Sequence, residues 1–177
     1  VDGIVDGSYK AGVSISSDGT RAYVTHVCPD PLYDFGWVID IDPASPTYNS
    51  VVEPLPFGPP LTPAITPDGS RVYFGGWATA VAMVDTSQPW NFTVVVFTDD
   101  VVSGLAITPD GNRAYATLQR TDTVVAIDTD PSSPTYNQVV TAPIVIGNQR
   151  TGYGNYAIAI SPDGSLVELS EQAVETW

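Results

Sequence analysis

His26 is the chain's single histidine and Cys28 its single cysteine. A lone histidine fills one ligand position, and a lone cysteine builds neither a thiolate zinc site nor an internal disulfide. His26 as general base or metal ligand therefore competes with a plainer account, a polar residue closing a strand. The acids offer more. Asp99 and Asp100 are adjacent, and Asp30, Asp34 and Asp122 fall in neighbouring loops, so their oxygens could converge on a hard cation, with calcium the ion to expect and no other cofactor. No Asp-x-Asp-x-Asp-Gly calcium loop is written, and solvated turn acids explain the same residues. Arg120 and Arg150, two of five arginines, are placed to recognise a carboxylate or sulfate, or to pair with nearby acids. With His26, Tyr33, Trp77 and Tyr153 they make the candidate set for a protein, small-molecule or glycan ligand. A Gly-x-Ser-x-Gly nucleophile elbow, a His-Glu-x-x-His helix and a phosphate-binding loop are all missing from the sequence. The Gly-rich run 147–154 joins two strands, and the Asn91-Phe92-Thr93 glycosylation triplet is expected about once by chance in a chain of this size.

What positions these residues is a stretch written four times. Ser17-Asp18-Gly19-Thr20-Arg21-Ala22-Tyr23, Pro67-Asp68-Gly69-Ser70-Arg71-Val72-Tyr73 and Pro109-Asp110-Gly111-Asn112-Arg113-Ala114-Tyr115 are followed by a fourth, divergent copy, Pro162-Asp163-Gly164-Ser165-Leu166-Val167-Glu168. A short apolar alternation precedes each. Proline presets the first turn position, Asp bonds its own backbone, and Gly supplies a positive φ, so each copy reads as strand, tight turn, strand. The recurrence of roughly 40 to 50 residues, with about four strands per unit, is that of a propeller blade.

The expected fold is therefore all-β, a β-propeller of four-stranded antiparallel blades. One domain or fragment covers 1–177, with units at 11–55, 63–98, 104–146 and 157–177, and 1–10 as the outer strand of a preceding or closing blade. Strands a to d run 11–16, 21–26, 36–41 and 50–55 in the first unit, and the third unit's outer strand falls at 138–146. The inward a strands should bury Val13, Ile15, Ala64, Ile65, Ala106, Ile107, Ile158 and Ile160, with Tyr23, Tyr73 and Tyr115 packed between blades. Asp42-Pro43-Ala44-Ser45-Pro46-Thr47-Tyr48-Asn49 and Asp130-Pro131-Ser132-Ser133-Pro134-Thr135-Tyr136-Asn137 repeat one c-to-d corner. The b-to-c and d-to-a loops then share a face around the central channel, where the candidates collect.

Composition sets the outer limits. Twenty acidic against six basic residues give a net charge of −14, which repels phosphate backbones and anionic lipid, so nucleic acid is excluded as a partner. No apolar run reaches the ~20 residues of a membrane helix, so membrane insertion is not expected. Sixteen prolines and fifteen glycines favour short strands over helices.

Tyr23-Val24-Thr25-His26 after Asp18-Gly19-Thr20-Arg21, the Ile-Thr-Pro-Asp-Gly copies, and the strands Val38-Ile39-Asp40 and Val124-Val125-Ala126-Ile127-Asp128 resemble the YVTN family of β-propeller repeats. That family is known from microbial surface-layer and extracellular proteins and is related to lactonase-type seven-blade propellers. The resemblance implies an extracellular, cell-surface or periplasmic propeller, and the single histidine, with no recognisable nucleophile–base pair in the sequence, makes a non-catalytic binding scaffold the expected role. Its rivals are part of a lactonase-like or lyase-like enzyme with its site on the loop face, and a ligand-sensing domain of a larger secreted enzyme. The chain is expected to be a processed chain, a fragment or part of something longer, with missing blades or a second chain completing the ring.

Overall fold

The computed structural model describes residues 10–27, 36–55, 60–76, 79–88, 92–98, 100–146 and 155–172. Among them every regular element is a strand. β1 (Lys10–Ile15), β2 (Arg21–Val27), β3 (Gly36–Asp40) and β4 (Ser50–Leu55) form one antiparallel sheet in chain order. The second sheet is β5 (Pro60–Ile65), β6 (Arg71–Gly76), β7 (Ala80–Asp85) and β8 (Phe92–Phe97), and the third is β9 (Val102–Ile107), β10 (Arg113–Leu118), β11 (Thr123–Asp128) and β12 (Ile144–Val145). β13 (Asn155–Ile160) and β14 (Val167–Gln172) make a two-stranded fourth sheet. The first strands of the sheets, β1, β5, β9 and β13, stand beside one another in that order.

The four turns are built alike. Gly19, Gly69, Gly111 and Gly164 all have φ between 69 and 75°. A hydroxyl ahead of each turn (Ser16, Thr66, Thr108, Ser161) donates to the turn aspartate and accepts the N–H of the residue that opens the next strand or, for Leu166, immediately precedes it. The turns also nest, since a Cβ on Gly111 would lie 3.3 Å from Pro67 of the preceding turn and one on Gly164 3.4 Å from Pro109.

Stacking of the sheets makes the core, in two seams. Tyr23, Val38 and Leu55 of the first sheet pack against Val72, Phe74 and Val84 of the second. Tyr73, Ala64 and Val81 of the second pack against Ala114, Ala116 and Ile127 of the third. Alternation along a strand explains the two-sidedness: Tyr73 looks forward to the next sheet, while its neighbours Val72 and Phe74 look back. The second seam also has a polar latch. Arg71 donates to the Thr129 carbonyl at 2.8 Å and sits 5.7 Å from the Tyr136 ring centre, and the Tyr73 hydroxyl donates to Asn137 at 3.2 Å.

Two expectations are corrected. Val13 and Ile15 are 63% and 55% exposed. They lie on the backward-looking face of the first sheet, and among the described residues no sheet covers that face. The third outer strand is not continuous over 138–146: Val139 makes a single bridge to Ile127, the chain leaves the sheet, and pairing resumes at Ile144. Pro143 has no N–H to give a ladder, and the Thr141 hydroxyl takes up the Ala126 N–H instead. Tyr115 is half-buried, which does not depart from the place expected of it.

Candidate functional site

The loops expected to carry chemistry leave the ends of the second and tenth strands and link the second sheet to the third. His26 falls within β2, opposite Ala11, but its side chain lies outside the described residues. So do Asp30, Tyr33, Asp34, Trp77, Asp99, Arg150 and Tyr153. Asp100, Arg120 and Asp122 are described, and the structure brings the first two together.

Asp100 follows β8 and is fully buried. Its Oδ1 accepts Nε of Arg120 at 2.8 Å and the N–H of Val101 at 2.6 Å, and its Oδ2 accepts the N–H of Arg120 at 2.6 Å and the N–H and hydroxyl of Thr121 at 2.8 and 3.1 Å. Burial pushes the Asp100 pKa up. The Arg120 guanidinium and the N–H groups of Thr121, Val101 and Arg120 outweigh it and hold the carboxyl below its ordinary value. Chemically it is a clasp that ties the β8–β9 link to the β10–β11 turn. Arg120 keeps its side chain 54% exposed beyond that ion pair.

Asp122 is buried, with φ 49°, and its carbonyl accepts the Ile146 N–H at 2.9 Å. Thr79 holds the matching place in the second sheet, with φ 49° and its carbonyl accepting from Thr98 at 2.7 Å. The position thus recurs without a carboxylate and belongs to the turn. Among the described residues no three His, Cys, Asp or Glu side chains gather as a metal would require.

Beside the clasp lies a groove of about 610 Å³, which sequence reasoning missed. Its lining is Phe97, Thr98 and Asp100 from the second sheet and the link that follows it, and Leu118, Thr121, Thr123, Val125, Val139 and Pro143 of the third unit. It opens where the third outer strand leaves its sheet, and the Pro143 that signals the interruption was visible in the sequence. A second, smaller cavity of about 310 Å³ lies between the second and third turns, near Asp68, Arg71 and Asp110.

No family model matches the chain, and no curated protein matches it. Solved structures do. Hydrazine synthase of Kuenenia stuttgartiensis superposes with a TM-score of 0.63 at 21% identity, over 94% of this chain and 42% of that one. The RRP9 WD40 repeats match with a TM-score of 0.62 at 15% identity, and U3-55K with 0.62 at 14%, each over 87% of this chain and 42% and 43% of theirs. The fold is a β-propeller. This chain spans less than half the length of those propeller structures, and at these identities the likeness is one of architecture. Among the described residues no helix is long and apolar enough to cross a membrane.

Proposed function

We propose that the chain is a YVTN-like propeller segment that serves outside the cell or at its surface as a non-catalytic scaffold, binding a protein, small-molecule or glycan ligand on its loop face. The observation that carries this reading is the saturation of Asp100. Five N–H or O–H donors reach its two oxygens, and its pKa is lowered, whereas a general base works best with a pKa near the operating pH. A carboxylate so placed fixes loops and gives ligands a rigid platform. The acidic surface and the repeated Asp-Gly units support the same assignment by resemblance.

Purified chain incubated with a panel of lactones and esters is expected to give no turnover above buffer. Hydrolysis that disappears in His26→Ala, with circular dichroism unchanged, sinks the scaffold reading in favour of a lactonase-like enzyme. Immunodetection in fractionated source cells should find the protein in the surface or secreted fraction, and a wholly cytosolic signal contradicts the location.

A further inference from the structure

The three complete sheets differ at their outer edges. β4 carries Glu53 and Pro54, and β12 is two residues long. These are the usual devices by which a sheet edge refuses another strand. β8 has none of that composition: Phe92-Thr93-Val94-Val95-Val96-Phe97 holds no charge, no proline and no glycine. It does carry one extra residue, Val95, opposite the Val81–Ala82 step, as β4 carries Val52. Among the described residues β8 pairs with β7 alone. Val94 is 42% and Phe97 79% exposed, and Phe97 is a wall of the 610 Å³ groove.

From this juxtaposition we infer that the β8 edge, with the adjoining groove, is a strand-addition site for an extended, apolar, β-branched or aromatic segment of a partner protein, flanked by lysine or arginine. A guest strand paired along this edge passes beside Phe97, which helps to line the groove. The groove has room for several such side chains, and buried Leu118, Thr123 and Val125 are among its lining residues. The backbone of the guest gains the ladder bonds, and the groove selects its side chain. The basic flanks follow from charge: the chain carries −14, which favours a cationic guest and opposes a second copy bringing the same charge. The site adjoins the loop face, because Asp100 and Thr121 of the clasp also line the groove.

The probe is a synthetic decapeptide of alternating threonine and valine with a central phenylalanine and a lysine at each end. Fluorescence anisotropy is expected to show saturable binding, and hydrogen exchange to show slowed amides in Thr93–Phe97. The same peptide methylated at alternate backbone nitrogens should not bind. Phe97→Ala, at an exposed position that leaves the fold intact by circular dichroism, should weaken binding about tenfold through loss of the aromatic wall. The inference is overturned by absence of binding, by equal binding of the methylated peptide, or by protection elsewhere than β8. It is overturned equally by light scattering that shows the free chain dimerised through β8, since the occupant is then a second copy.

Discussion

Asp40 and Asp128 show how much a single carboxylate does in this fold. Each is buried at the end of a third strand, paired with Arg21 at 2.8 Å or Arg113 at 2.7 Å, and bonded by the hydroxyls of Ser45 and Thr47 or Ser133 and Thr135. Those hydroxyls first, with the following N–H and the arginine, bring both pKa values from 3.8 down to about 2. A group whose folded pKa is depressed stabilises the fold above its unfolded value and loses that contribution as pH falls through the folded one. Urea midpoints should therefore begin to fall about one pH unit above 3.8 and keep falling as the pH passes through about 2. In Thr47→Ala the Asp40 carboxyl, followed by carbon-detected NMR, should titrate at a higher pH than in the parent, and an unchanged titration contradicts the clasp. Gly111 makes a second test, because its φ of 75° and its 3.3 Å approach to Pro67 both oppose a side chain. Gly111→Ala should cost about 1–2 kcal/mol in urea denaturation.

Between elements, the second seam is tight at Gly75. A Cβ on Gly75 would lie 2.3 Å from Cγ1 of Val102, so Gly75→Ala should destabilise the chain by about 1–3 kcal/mol, and Val102→Ala in the same chain should recover part of it. A double variant as unstable as the sum of the two singles refutes that contact. Arg71→Lys removes the planar group that meets both Thr129 and Tyr136, and should lower the thermal midpoint although the charge is kept. The sheets, their order and their turns were legible in the sequence, because Asp-Gly turns and alternating strands are local signals that recur. The latch was not legible: Arg71 occupies the same repeat position as Arg21 and Arg113, yet it reaches the next sheet while they pair with aspartates of their own sheets. The groove escaped for a similar reason, since it arises from a strand that stops, and periodicity marks only strands that continue. Asp100 was singled out as a cation ligand, while the partners that surround it, Val101, Arg120 and Thr121, converge through tertiary structure.

Across the whole molecule, the backward-looking face of the first sheet contrasts with its equivalents. Ile15 pairs with Ala22 as Ile65 pairs with Val72, yet Ile15 is 55% exposed while Ile65 packs against the first seam. Val13→Ser with Ile15→Ser should leave the urea midpoint of the chain unchanged and reduce binding of a hydrophobic dye, whereas Ile65→Ser should cost about 2 kcal/mol. Equal destabilisation by both would mean that the first face is covered. The nested turns carry a further implication. From the second sheet onward each meets its predecessor through a glycine laid against the previous turn, and the first and second sheets meet their successors through a tyrosine packed on the next sheet, so one join closely repeats another. A gene that gains or loses a whole unit by unequal recombination at the Asp-Gly codons recreates a familiar join, while a cut elsewhere within a unit breaks one. Lineages carrying this chain should therefore vary in length by whole repeats.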